Sequence, residues 1–288
     1  MNRLPSWFKQ GVPEEYSIKE ISALNKSNIK TVCSEAKCPN FITCLRKKKL
    51  TFIILGDTCT RNCSYCAVKK SGTKKRLNFD FNEPVRVAEV VRSLGIRYAV
   101  VTSFAMDDLE DGGAGEFVKT VKLIRAIDKD IKVELLIPDF QGKIKSLIRV
   151  IDSCPDVIGH NIETVARLYK TLRPEADYGL SLNLIAKIKD LSPELLTKSS
   201  IMLGLGESER EVINTMEELS NIRCDILTLG QYLAPSNKHY PVKEFISLGQ
   251  FQKYKNIAIG LGFKFVLSGP LVRSSYQAEE VYKEVVYA

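Results

Sequence analysis

The residues with the clearest chemistry are cysteines: six of the chain's eight fall between positions 33 and 66. Cys59, Cys63 and Cys66 stand in Gly56-Asp-Thr-Cys-Thr-Arg-Asn-Cys-Ser-Tyr-Cys66, a C-x3-C-x2-C spacing that brings three thiolates to one side of a compact centre. A structural zinc site closes its tetrahedron with four ligands. Three thiolates on a cubane iron–sulfur cluster leave one iron open to a further molecule. The arrangement suits a reactive cluster better than a structural staple. Cys33, Cys38 and Cys44 form another set, C-x4-C-x5-C. Taken alone, it fits a zinc knuckle short of one ligand, a group of structural thiols, or a cluster. Cys154 and Cys224 sit among apolar neighbours and read as buried thiols.

Such loops need a scaffold. From about residue 51, apolar β-type runs at 51–55, 98–102, 132–137, 156–160, 199–203, 225–229 and 263–267 alternate with amphipathic stretches at 84–95, 116–128, 142–152, 208–221 and 248–262. Several runs are almost continuously apolar, as in Tyr98-Ala-Val-Val-Val-Thr102, which suits parallel strands covered on both faces. Pro84 at a helix start, Gly95 and Gly262 at helix ends, and a Ser208/Glu211 capping box punctuate the pattern. Repeated βα units of this kind predict a barrel-like or doubly wound parallel sheet, six or seven units against the eight of a full barrel. The Cys59 loop follows the first strand directly, so it lies at the C-terminal mouth of the sheet, where such folds build active sites. Residues 1–50 do not share the pattern and read as an N-terminal extension. Asp111-Gly-Gly-Ala114 reads as a turn, His160 as a structural histidine, and Ser274 and Ser275 as a helix cap before 276–282.

The bulk numbers bound these readings. A chain of 288 residues, 44% hydrophobic and 26% charged, can bury a sizeable core. No apolar run approaches the roughly 18 residues of a membrane span. Glu14, Glu15 and Glu20 interrupt the leader region, against a secretory or transit signal. The expectation is a cytoplasmic protein with no membrane partner, in which eight cysteines are not a disulfide framework. The net charge of +8 reads as a solvated basic surface or as attraction to an anionic partner. Lys47, Lys48, Lys49, Lys69, Lys70, Lys74, Lys75 and Arg76 flank the cysteines without the interleaved aromatics of a single-strand platform, so no nucleic-acid partner is expected. A zinc-stabilised nucleic-acid module is the reading from another class, and colourless zinc protein against brown iron protein separates the two.

With Tyr65 before the last cysteine, the second group resembles the C-x3-C-aromatic-C signature of the radical S-adenosylmethionine (SAM) superfamily. Thr31-Val-Cys-Ser-Glu-Ala-Lys-Cys-Pro-Asn40, Gly56–Arg61, Cys66-Ala-Val68, Asp107–Ala114, His160-Asn-Ile-Glu-Thr-Val165, Thr228–Leu233 and Ser268-Gly-Pro-Leu-Val-Arg-Ser-Ser-Tyr276 are similar, in order and spacing, to segments of lipoyl synthases. The resemblance covers about residues 30–278. It implies an α/β fold, a partial (β/α)6-type TIM barrel of the radical SAM type, divided as 1–50 (N-terminal extension), 51–268 (barrel) and 269–288 (C-terminal segment). It implies two [4Fe-4S] clusters, one on Cys59, Cys63 and Cys66 that cleaves SAM, and an auxiliary one on Cys33, Cys38, Cys44 and Ser275 that is consumed as sulfur donor. Tyr65, Thr102, Ser103, Asn161, Glu163 and Arg173 are the expected SAM contacts. The implied reaction inserts two sulfur atoms at C6 and C8 of an octanoyl-lysine on a lipoyl-carrier protein, of the E2 lipoyl-domain or glycine-cleavage H-protein type. An electron donor, an iron–sulfur carrier protein and a monomeric state complete the expectation. Another radical SAM enzyme with an auxiliary cluster is the alternative. The chain departs from the family at Phe104-Ala-Met106, where Val-Asp-Arg is usual, at Glu110 for proline, and at Gln277 for histidine.

Overall fold

The computed structural model describes residues 4–8, 29–70 and 80–287. Lys74, Lys75 and Arg76 of the basic flank, and Glu14, Glu15 and Glu20 of the leader, lie outside the described residues. The strands are β1 (Lys30–Thr31), β2 (Thr51–Ile54), β3 (Tyr98–Ser103), β4 (Lys132–Leu136), β5 (Val157–Gly159), β6 (Leu196–Leu203), β7 (Ile226–Gln231) and β8 (Phe265–Gly269). They form one sheet in sequence order. β1 is antiparallel to β2, through Lys30↔Ile53 and Thr31↔Phe52, and every later neighbour pair is parallel. Short helices α1 (Val32–Glu35) and α2 (Phe41–Arg46) carry the first cysteines. Helices α3 (Glu83–Leu94), α4 (Ala114–Ile127), α5 (Ile144–Ile151), α6 (Tyr169–Leu172), α7 (Tyr178–Leu191), α8 (Glu209–Asn221) and α9 (Leu248–Gly260) lie between successive strands, and α10 (Ala278–Tyr287) follows β8.

The alternation of side chains along each strand decides the layers. Phe52, Ile54, Ala99, Val101, Val133, Leu135 and Ile158 pack outward with Val87, Val91, Phe117, Val121, Ile124 and Leu147 of α3, α4 and α5. Leu45 and Leu50 join that cluster, which fastens the N-terminal cysteine segment to the barrel. The opposite faces of β3, β5 and β6 turn Tyr98, Val100, Val157 and Leu196 inward against Ala278 and Tyr282, so α10 seals the barrel's N-terminal end. Charge lies inside as well: Lys198 Nζ meets Glu134 Oε1 at 2.9 Å, and Tyr98 donates to Glu134 Oε2 at 2.7 Å.

Local signals act as expected at several points. Ser208 and Glu211 form a reciprocal capping box, Pro84 sits in the first turn of α3, and Gly95 ends that helix at φ +63°. Asp111 accepts from the Gly113 and Gly115 amides and opens α4, so the glycine pair is a helix entry. Gly113 is required, since a Cβ there would lie 2.2 Å from Leu55 Cδ1. Cys224 is buried, whereas Cys154 is exposed, which corrects the reading from its neighbours. It occupies a left-handed turn (φ +56°) between α5 and β5, and only the strand residues after it face inward. Among the described residues no helix is long and apolar enough to cross a membrane.

Candidate active site at the barrel mouth

The loop after β2 starts with two left-handed residues, Leu55 (φ +73°) and Gly56 (φ +85°). The Glu83 carboxylate holds both, accepting from the Leu55 amide at 2.6 Å and the Gly56 amide at 3.0 Å. Further on, Thr60 bonds through its amide and hydroxyl to the Ala105 carbonyl and accepts from the Asp107 amide. Arg61 makes the strongest anchor. Nε and Nη2 bind Asp107 at 2.8 and 2.9 Å, and Nη1 and Nη2 bind Asp139 at 2.6 and 2.5 Å. One planar fork thereby joins the exits of β2, β3 and β4. Burial pushes the Asp139 carboxyl up, but its bonds to Arg61 outweigh that and leave it below the usual range. The far side is tied by Ser64, whose amide donates to Leu172 O at 2.9 Å and whose carbonyl accepts from Tyr240.

This frame holds Cys59, Cys63 and Cys66 half-buried, each close enough to feel the charge of another member of the set. Burial raises all three thiols, Cys66 to about 12. Backbone donors reach the sulfurs, as where Arg61 N–H approaches Cys59 Sγ at 3.4 Å. Hydrogen bonds of this kind suit cluster thiolates. Among the described residues no three His, Cys, Asp or Glu side chains converge on a single ion. A cubane differs in binding each thiolate to a separate iron.

Behind the loop lies a cluster of polar side chains. Arg173 is 8% exposed; its Nη1 donates to Asn161 O at 3.2 Å and to the Tyr169 hydroxyl at 2.7 Å, and its guanidinium lies over the Tyr169 ring. Asn161 Nδ2 donates to Glu163 Oε1 at 3.0 Å. Glu163 is held at φ +67°, in the left-handed region, by backbone bonds to Ser200 and Met202. Burial raises its carboxyl, against the pull of Arg173. Tyr65 packs on the neighbouring apolar cluster and senses Glu163, Arg173 and two cysteines. Thr102 Oγ1 donates to Leu136 O at 2.7 Å, so that hydroxyl is engaged by β4. His160 bonds through Nδ1 to Ile137 O at 2.9 Å; burial, then Arg173, lowers it to about 4 and keeps it neutral. Five buried side-chain polar atoms in the described residues have no partner, and Ser103 Oγ, His160 Nε2, Thr164 Oγ1 and Arg173 Nε belong to this mouth. Orphaned polar atoms there fit a polar ligand.

The other cysteines sit beside the C-terminal segment. Cys33 and Cys44 both sense Cys38; burial raises Cys33 to about 12 and Cys44 to about 11. Asn40 Nδ2 donates to Leu271 O at 2.6 Å, and Lys49 pairs with Glu280. Arg273 senses Cys38 and Tyr276 senses Cys44, which brackets Ser274 and Ser275 between them. Ser275 lines a recess with Leu50, Thr51, Tyr98 and Val100. Ser274 turns the other way, its hydroxyl donating to Asn161 Oδ1 at 2.8 Å. The segment crosses β7 at Gly230, where a Cβ would lie 2.0 Å from Val272 O.

The structure thus brings Cys59, Cys63, Cys66, Tyr65, Asn161, Glu163 and Arg173 together at the barrel mouth, and sets Cys33, Cys38 and Cys44 near one another beside Arg273 and Tyr276, while Ser275 lines the recess at Thr51 and Val100. Sequence reading missed Arg61, Asp139, Ser274 and Gly230. Arg61 had a visible signal, lying inside the C-x3-C loop, whereas Asp139 is 78 positions away.

The model of the radical SAM superfamily matches residues 53–219. The chain is 48% identical over 280 residues to the lipoyl synthase of Caldicellulosiruptor saccharolyticus, covering 97% of each. It is also 48% identical over 277 residues to that of Caldanaerobacter subterraneus subsp. tengcongensis, covering 96% of each. The crystal structure of Streptococcus suis SuiB bound to precursor peptide SuiA shares the fold at TM-score 0.58 and 11% identity, over 91% of this chain and 56% of that one.

Proposed function

The chain belongs to the lipoyl synthase family of the radical SAM superfamily, and from that membership we propose which residues hold its cofactors and what each does. It is a radical SAM enzyme of the sulfurtransferase kind. The reaction is insertion of sulfur at C6 and C8 of a protein-bound octanoyl-lysine to give lipoyl-lysine.

In this proposal Cys59, Cys63 and Cys66 hold one [4Fe-4S] cluster, and Cys33, Cys38, Cys44 and Ser275 hold the other. When bound, the first group supplies the electron that splits the SAM sulfonium to a 5′-deoxyadenosyl radical, and the second supplies sulfur. The residues do the rest. Arg61 fixes the cysteine loop against Asp107 and Asp139. Asn161, Glu163 and Arg173, with Tyr65 beside them, bind and orient SAM, and Ser103 offers a buried hydroxyl with no other partner among the described residues. Thr102 lines the mouth with its hydroxyl proton spent on Leu136 O, so it meets SAM as an acceptor. His160, neutral and bonded to Ile137 O, stabilises the β5 exit and holds no proton for transfer on Nε2.

The observation that carries the two-cluster assignment is the meeting of the chain's two ends. The segment 270–277 is bonded to the N-terminal cysteine segment by Asn40–Leu271, and it leaves the Ser275 hydroxyl without a hydrogen-bond partner among the described residues while Ser274 is engaged. Oxygen ligation is weaker than thiolate ligation, which suits a cluster that is consumed. The parts 1–50, 51–268 and 269–288 then act as cluster arm, barrel and closing strap. The substrate is an octanoylated lipoyl-carrier protein, of the E2 lipoyl-domain or H-protein type. Exposed Lys37, Lys47, Lys48 and Lys70 beside the cysteine loops favour an acidic one. An electron donor and an iron–sulfur carrier protein serve the clusters, and the enzyme acts as a cytoplasmic monomer.

Anaerobically purified protein tests the assignment. It is expected to be brown, with about eight irons per chain. Replacing Cys33, Cys38 and Cys44 together by alanine is expected to leave about four, with 5′-deoxyadenosine release retained at saturating SAM and sulfur insertion lost. Stoichiometric zinc in colourless protein would contradict it.

A further inference from the structure

The Arg273-Ser-Ser-Tyr276 segment faces two pockets at once. Ser275 lines the recess beside Thr51 and Val100. Its neighbour Ser274 donates to Asn161 Oδ1 at 2.8 Å, and Asn161 Nδ2 donates to Glu163 Oε1 at 3.0 Å. The chemistry of the groups fixes this direction. A carboxylate only accepts, so the amide NH2 faces Glu163, its oxygen faces Ser274, and the serine hydroxyl must donate. Glu163 cannot relax to compensate, since its backbone is pinned at φ +67° by bonds from its amide to Ser200 O and from the Met202 amide to its carbonyl. Without Ser274 the Asn161 amide loses the partner that sets its orientation, and Glu163 loses a fixed donor.

The strap itself has little freedom. Its path is set by the contact of Val272 O with Gly230, by Asn40 donating to Leu271 O, and by the Tyr276 amide bonding to Arg273 O at 2.9 Å. Ser274 and Ser275 are consecutive residues in that tight turn, so a displacement of one carries the other.

We propose that Ser274 is a positioning residue that couples the seat of the auxiliary cluster to the SAM pocket. SAM binds tightly only while the strap is seated at the Cys33–Cys44 arm, and loss of the auxiliary cluster loosens SAM binding through the Ser274–Asn161–Glu163 chain. The inference rests on the cofactor assignment above. Its consequence is a built-in order: an enzyme lacking its sulfur source binds SAM poorly and wastes less of it.

The test uses holoenzyme with both clusters, prepared anaerobically. Ser274→Ala is expected to keep the full iron content and to weaken SAM binding about tenfold, the size of one good hydrogen bond. It should also lose the change that SAM causes in the electron paramagnetic resonance signal of the reduced cluster. Ser274→Thr, which keeps the hydroxyl, is expected to restore both. Ser275→Ala should weaken SAM binding in the wild-type background and add nothing to Ser274→Ala. Wild-type SAM affinity in Ser274→Ala, additive losses in the double variant, or iron loss in Ser274→Ala each overturn the proposal. If the unmodified protein holds no two clusters or binds no SAM, the cofactor assignment fails instead.

Discussion

Replacing Arg61 by methionine is the perturbation whose cost the structure lets one work through. The substitution keeps an unbranched apolar stem but removes four charge-assisted bonds, two to Asp107 and two to Asp139. The two carboxylates do not suffer alike. Asp107 is 22% exposed at its side chain and recovers hydration, so its share is small. Asp139 is 1% exposed and is left charged with no cation. Removing one partner of a buried pair costs about 3–5 kcal/mol. For a chain of this size that corresponds to a melting temperature lowered by about 5–8 °C. The pH dependence has a definite sign. In the wild type the Asp139 carboxyl titrates below its ordinary value, so its stabilisation is present at neutral pH and is lost as pH falls through the lowered value. In the variant, burial without a cation raises that carboxyl, and protonation relieves the penalty. The gap between the two proteins should therefore narrow on acidification from neutral pH towards the ordinary aspartate value, about 3.9. The assay is thermal unfolding of anaerobic holoenzyme across pH, with Arg61→Met/Asp139→Asn recovering part of the loss. A shift under about 2 °C at neutral pH, or a gap that is flat with pH, would refute the clamp as the main anchor of the cysteine loop.

Other expectations follow from particular contacts. Gly230→Ala puts a Cβ against Val272 O and should displace the strap, with iron falling from about eight towards about four per chain as the auxiliary cluster is lost. Ser275→Cys is expected to retain both clusters by iron analysis and to abolish sulfur insertion, because thiolate does not release as readily as a hydroxyl. Lys198→Met leaves Glu134 buried without its cation, a loss of about 3–5 kcal/mol in denaturant unfolding that Glu134→Gln in the same chain should largely recover. His160, held near 4 by burial and Arg173, binds its proton less well folded than unfolded. Wild-type stability should be full above about pH 6.5 and fall by about 3 kcal/mol towards pH 4, and His160→Gln should flatten that slope.

The barrel was legible because its strands are near-continuous apolar runs and its helices carry caps that act locally, such as Ser208 with Glu211. The cysteine loops were legible because their ligand types are consecutive or nearly so. What stayed hidden depends on pairing at a distance. Arg61 meets Asp139 only because successive parallel strands bring their exits together, and no spacing rule links positions so far apart. Ser274 and Ser275 read as a helix cap, and the helix after them begins only at Ala278, while Ser274 is spent on Asn161 from the other half of the barrel. Burial of Lys198 with Glu134 was equally out of reach, since each occupies an inward strand position that composition alone assigns to apolar residues. Cys154 shows the reverse error: an apolar neighbourhood in sequence became an exposed turn in space.

The central claim is that two cofactor pockets, joined by the chain's two ends, insert sulfur into one acyl chain. It is tested most directly by incubating anaerobic holoenzyme with an octanoyl-lysyl carrier protein, SAM and a strong reductant, and weighing the carrier. The carrier is expected to gain the mass of two sulfur atoms, as the dithiol under these reducing conditions. Release of 5′-deoxyadenosine with no sulfur on the carrier would contradict it.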